Sequence, residues 1–188
     1  MAAWQKFDPE SSTDLSASGL ANHLVPRTWF TIKNAHDRVE RSPMIYEGLD
    51  ESMVRLRTII DHRGPFQAAF GFSQGAALAA LLSAALESPT LHPAFEGLKP
   101  QEHAFKALVL VSGFKLDLRP DWYGYKSLLK TPSLHIISHA DAIIHPHRSR
   151  TLISAFAHPR VEWHGAGHMV PTTKNWRDFI KSYFSQTL

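Results

Sequence analysis

The sequence predicts an α/β fold, a mostly parallel sheet flanked by helices, and three observations carry that expectation. Strand-like apolar runs alternate with helix-like periods along the 188 residues, the order that builds parallel sheets. Phe105 to Val111 is a continuous apolar run, as a strand buried on both faces requires. Gly71-Phe72-Ser73-Gln74-Gly75 stands between an apolar run, Phe66 to Phe70, and an Ala/Leu-rich segment, Gln74 to Leu86. In that strand–turn–helix setting, G-x-S-x-G puts the serine on a sharp turn, and the glycines let strand and helix approach closely.

The elements follow in order. Residues 1–25 are rich in Ser, Asp, Ala and Asn without a period, and read as a poorly structured segment ahead of one domain over 26–188. Arg27 to Lys33 has strand character, and Asn34 to Pro43 is polar and turn-like. From Glu47 to His62 the apolar residues Leu49, Met53, Leu56 and Ile60 recur at helical spacing, with Glu51, Arg55 and Asp61 off that face. Gly64-Pro65 stops this helix. The strand Phe66–Phe72 leads into the serine turn and a helix that is apolar nearly all round, hence buried. Glu87 to Glu102, with three prolines, is a connecting excursion.

Ser112-Gly113 ends the next strand, and Phe114 to Tyr125 reads as a loop over a site. Pro132 introduces a strand at Leu134–Ser138, followed by a polar loop holding Asp141 and a helix around Arg148–Ala157. Val161 to Trp163 is a last short strand, His164 to His168 a Gly-rich turn, and Thr173 to Phe184 a closing helix. In such sheets, sites form at the carboxyl ends of the strands.

Composition narrows the function classes. Hydrophobic residues make up 44% and charged residues 20%, the balance of a globular protein, and the net charge of +3 is spread without a Lys/Arg block. Nucleic acid is therefore not an expected partner. The absence of cysteine excludes disulfides, thiolate metal sites and a Cys nucleophile. No apolar stretch approaches the ~18 residues of a membrane span, and the first residues lack a signal-peptide core. A cytoplasmic protein without a membrane partner is the expectation.

Three polar residues fall at strand ends in the order Ser73, Asp141, His168, which is the order used by the α/β-hydrolase fold. Serine is a weak nucleophile until a base takes its proton, histidine titrates in the right range, and a carboxylate fixes the imidazole tautomer. Ser73 also suits a helix N-cap, and Asp141 an ordinary turn. The histidines at 135, 139, 145 and 147, with Asp141, raise a metal reading, but their spacing fits no common zinc pattern. No metal and no cofactor are expected. Phe114, Trp122 and Tyr125 are candidates for an acyl pocket, and Trp29, Trp122, Tyr123 and Tyr125 suit core or lid packing.

The chain resembles the fungal family of serine hydrolases, often called FSH proteins, within the α/β-hydrolase fold. The matching text is Tyr46-Glu47-Gly48-Leu49-Asp50-Glu51-Ser52, Gly64-Pro65-Phe66, Gly71 to Leu78, Val111-Ser112-Gly113-Phe114, Pro132 to Ile136 with the loop to Asp141, Arg148-Ser149, and Gly165 to Pro171. The resemblance implies Ser73 as nucleophile, His168 as base, Asp141 as acid and the Gln74 backbone N–H as an oxyanion donor. It implies a carboxylesterase or thioesterase of small acyl substrates, among them carrier-protein-bound acyl chains released in fungal secondary metabolism. Two rivals use the same scaffold: a non-catalytic acyl-binding or interaction protein, and an acyltransferase.

Family members open with an apolar strand and a Leu-His-Gly loop that supplies the second oxyanion donor. Met1 to Asn22 contains neither, so the resemblance implies an N-terminally shortened member. Losing one such donor costs on the order of 10²–10³ in kcat. Ser138 stands where the family often has glycine, and Ala166 where a second glycine is usual.

Overall fold

A computed structural model describes residues 28–33, 44–118 and 127–188; the 1–25 segment and the Asn34–Pro43 turn expected from sequence lie outside them. Along the chain come strands Thr31–Lys33 (β1) and Ile45–Glu47 (β2), helix Leu49–Arg63 (α1), strand Ala68–Phe72 (β3) and helix Gln74–Glu87 (α2). A short helix Pro100–His103 (α3) and strands Ala107–Val111 (β4) and Ser133–Ser138 (β5) follow. Helix Pro146–Ile153 (α4), strand Pro159–His164 (β6) and helix Lys174–Thr187 (α5) complete the order.

Strands β3-β4-β5-β6 form a parallel sheet in that order, and β1 and β2 pair antiparallel apart from it. The register runs level across the sheet: Phe72 faces Val111, Val111 faces Ile136, and Ile136 faces Glu162. Every residue of β4 and β5 is buried, and on β4 this shows in the sequence as an unbroken apolar run rather than an alternating one. Pro159 opens the outer strand β6, a position where its missing N–H costs the ladder nothing.

Helices cover both faces. Helix α2 is buried from Ala76 to Leu86 and packs with Leu108, Leu110, Leu152 and the Leu49/Met53/Ile60 face of α1 in the larger core. Helix α5 presents Trp176, Phe179, Ile180, Tyr183 and Phe184, spaced by three and four, to Val109, Val111, Leu134 and Ile136 on the other face. Glu87, at the end of α2, accepts the N–H groups of Lys130 and Thr131 and the Thr131 hydroxyl, fixing where β5 begins.

Several boundaries differ from the sequence reading for identifiable reasons. Strand β2 escaped it, because three residues carry no period and Glu47 fits a helix start equally well. Gly48 at φ +82° makes the turn between β2 and α1. Phe66 stays out of β3 and 39% exposed, since pairing with β4 starts only at Ala68. Helix α4 begins at Pro146, a residue suited to a first helical turn, and stops early because Ala155 and Ala157 bond instead to Leu129. The 87–102 excursion contains two single-turn 3₁₀ segments and α3.

His135 is the one ionisable residue within β5. Its ring lies edge-on to Phe156, and Nε2 is 3.1 Å from Ser133 Oγ. Burial lowers its pKa from the ordinary 6.5 to about 4. The unfolded chain therefore binds a proton below about pH 6.5 that the fold refuses, so stability falls as pH drops through this window. The expected loss from this residue between pH 6.5 and 4.5 is about 2 kcal/mol. Urea unfolding at the two pH values measures it, and His135→Gln should remove that share of the acid sensitivity; an unchanged difference in the variant refutes the assignment.

Candidate active site

The serine turn is built by close backbone packing. A Cβ on Gly71 would lie 2.5–2.7 Å from the Gly75 carbonyl oxygen and the Ala76 backbone, so only glycine lets β3 and α2 meet there. Ser73 sits between them at φ +53°, a left-handed conformation that side chains rarely adopt. Its N–H donates to the Val111 carbonyl (2.9 Å), and its own carbonyl accepts from Ala76 and Ala77. The hydroxyl makes no capping bond to the helix. The N-cap role open from sequence therefore belongs to the Ser73 main chain, leaving Oγ for another partner.

That partner is His168. Its Nε2 lies 3.0 Å from Ser73 Oγ, and its Nδ1 lies 2.8 Å from Asp141 Oδ2. Folding thus brings together three side chains separated by 68 and 27 positions in the chain. Asp141 is 3% exposed, and its other oxygen, Oδ1, accepts the N–H groups of Ile143 (3.0 Å) and Ile144 (2.8 Å). Burial alone would raise its pKa. Hydrogen bonding from His168, the Ile144 N–H, Ser112 and the Ile143 N–H outweighs burial and holds the acid below its ordinary value. The His168 ring also packs on Phe72, with centroids 4.8 Å apart.

Gln74, expected to offer its backbone N–H, begins α2, and first-turn N–H groups have no partner within a helix. Its side chain does separate work. Oε1 accepts from the Thr28 hydroxyl (2.7 Å) and the Trp29 N–H (2.8 Å), while Nε2 donates to the Phe30 carbonyl (2.8 Å). Nothing in the sequence signalled this clamp, because it joins positions about 45 apart.

Ser112 and Ser138, which the sequence marks only as a strand end and as a residue in a usual glycine position, also border the site. Ser112 follows β4 at φ +48°, is buried, and completes no hydrogen bond of regular geometry with its hydroxyl. What that hydroxyl faces is the Asp141 carboxylate, whose charged form it favours. Ser138 Oγ accepts from the N–H groups of Ala140 and Gly167, each at 3.1 Å. Buried serines at strand ends read in sequence only as loop punctuation.

The remaining candidates sit elsewhere. Phe114 is 5% exposed within the larger core, and the Arg148 guanidinium lies 4.5 Å from its ring centre. Ser149 Oγ donates to the Gly113 carbonyl at 2.8 Å, and the Phe114 ring packs in the larger core. Trp122 and Tyr125, with Tyr123, lie outside the described residues. Trp29 is 40% exposed beside Gly75, a partly open ring instead of a core one. The histidines disperse: His135 is buried against Phe156, His139 stacks on Trp163 at 4.0 Å, and His145 and His147 neighbour each other. Among the described residues no cluster of three or more His, Asp or Glu side chains is arranged to hold a metal, and no helix is long and apolar enough to cross a membrane.

The family model described as Serine hydrolase (FSH1) matches residues 2–180. The chain belongs to that family. It is 35% identical over 141 residues to esterase OVCA2 of Danio rerio, covering 72% of this chain and 58% of that protein. Against the Homo sapiens esterase OVCA2 it is 30% identical over 168 residues, covering 86% of this chain and 68% of that protein. The chain spans 58% of the length of both the Danio rerio and Xenopus tropicalis esterases. In fold it is similar to Zea mays acyl-protein thioesterase 2, with a TM-score of 0.58 at 16% identity, covering 85% of this chain and 71% of that one. The architecture is that of an α/β-hydrolase.

The FSH1-family elbow generates a direct expectation. Gly71→Ala should lower stability by about 3 kcal/mol, because the new methyl meets backbone that cannot move aside. A denaturant midpoint within error of the parent would show that the turn tolerates a side chain.

Proposed function

We propose that the protein is a serine esterase or thioesterase that works through an acyl-Ser73 intermediate. The observation that carries this reading is the continuous Ser73–His168–Asp141 hydrogen-bonded chain, 3.0 Å and 2.8 Å in its two links. With Asp141 held ionised, its carboxylate accepts from Nδ1–H, so Nε2 carries the lone pair that faces the Ser73 hydroxyl. As Oγ attacks the substrate carbonyl carbon, its proton passes to Nε2, and the Gln74 N–H stabilises the oxyanion. Collapse of the tetrahedral intermediate expels the alkoxide or thiolate, which takes the proton from Nε2. Water then attacks the acyl-enzyme by the same route in reverse and frees Ser73. The chemistry requires no cofactor.

Membership in a serine hydrolase family and relatives named esterases support the reaction class. Support for an acyl substrate comes from Ile143 and Met169, which flank the acid and base and remain 64% and 43% exposed. Exposed apolar groups adjoining the acid and the base in the chain suit the hydrocarbon part of an acyl group. The thioester option has its precedent on this fold in Zea mays acyl-protein thioesterase 2.

A fluorophosphonate probe should label the protein covalently, and Ser73→Ala should abolish labelling. Asp141→Asn should slow p-nitrophenyl ester turnover by on the order of 10³–10⁴ through loss of the correct tautomer. Equal labelling of parent and Ser73→Ala would remove Ser73 from the mechanism. Absence of labelling in the folded parent would favour an acyl-binding protein on a hydrolase scaffold.

A further inference from the structure

We infer that Ser138 is a positioning residue that fastens the loop carrying Asp141 to the loop carrying His168. It is the last residue of β5 and 1% exposed, so its hydroxyl is shut away from water. Three contacts radiate from it. Its carbonyl accepts the Asp141 N–H at 3.4 Å, while Oγ accepts from Ala140 within the acid loop and from Gly167 across the gap, both at 3.1 Å. Gly167 immediately precedes His168 and holds φ +77°, so the base hangs from a residue with wide backbone freedom. The neighbouring tie between these segments, His139 N–H to the His164 carbonyl at 3.2 Å, continues the strand ladder and stops four residues short of His168. Ser138 Oγ is therefore the side chain that carries the link from the sheet to the residue beside the base.

The consequence is geometric. The 2.8 Å contact between Nδ1 and Oδ2 spans two loops, and its length depends on how those loops are held together. Removing the hydroxyl leaves two N–H groups without their acceptor and lets the Gly167 peptide turn. Displacement of a reacting group by about 1 Å costs up to 10²-fold in rate, even when the substrate still binds.

This role rests on the acyl-serine reading, and the test separates the two. Ser138→Ala, Ser138→Thr and the parent are compared by fluorophosphonate labelling rate, by kcat and KM with a p-nitrophenyl ester, and by amide hydrogen exchange at Gly167. Ser138→Ala should label and turn over about tenfold more slowly with KM unchanged, and its Gly167 amide should exchange at least tenfold faster. Ser138→Thr, which keeps the hydroxyl, should restore the parent behaviour in all three. A labelling rate equal to the parent's in Ser138→Ala, or an unaltered Gly167 exchange rate, overturns the inference. A parent that exchanges slowly at Gly167 yet never labels would instead strike the proposed chemistry and leave the loop tie standing.

Discussion

The level register of β3, β4 and β5 is the constraint on which the rest depends. Phe72, Val111 and Ile136 stand side by side, so the chain leaves all three strands at one edge of the sheet. Ser73 and Ser112 are each the next residue out, and Asp141 sits on the loop that leaves β5. A parallel sheet fixes this without any contact among the polar groups, because its ladder is set by buried Val, Leu and Ile side chains. The core thus decides where Ser73, Ser112 and Asp141 stand. A slip of one residue in any strand would turn its inward side chains to the other face.

The site sits on strained backbone, and the surrounding packing holds it there. Ser73 and Ser112 both occupy positive φ, at the ends of adjacent strands. Such conformations cost on the order of 1–3 kcal/mol each and persist only where neighbours leave no alternative. Here the neighbours are identifiable. The Ser73 N–H is bound to Val111 and the Ser112 N–H to Ile136, so each strained residue is tied to the next strand over. Gly113 is hemmed in turn by Leu152 and Ala76, since a Cβ there would lie 2.8 Å from Leu152 Cδ2 and 3.0 Å from Ala76 Cβ. Strain concentrates at the two residues whose hydroxyls face His168 and Asp141.

Much of this was legible in the sequence wherever a short-range rule applied. The G-x-S-x-G turn announces itself because the close approach of Gly71 to Gly75 and Ala76 is a local steric demand. The apolar run of β4 and the three-and-four spacing of α1 are likewise local. The order of Ser73, Asp141 and His168 was readable because strands and helices alternate. What escaped was tertiary: a Ser138 hydroxyl reaching residue 167 and a Gln74 amide reaching residues 28–30. Each depends on where a side chain points after distant segments have packed, which no period encodes. Strand β2, the partner of β1, was hidden for the opposite reason, being too short to show alternation.

The Gln74 side chain has a consequence of its own. Its carbonyl end receives two donors and its amino end serves one acceptor, so it recognises both polarities of the Thr28–Phe30 backbone at once. A glutamate of the same size would set a negative oxygen against the Phe30 carbonyl, and a shorter asparagine would fall short of the contacts. The identity of this residue is thereby dictated by a scaffold duty unrelated to the peptide group that follows Ser73. One position serves two masters, and tolerance to substitution there reports the anchoring of a remote strip of chain before it reports anything about reactivity.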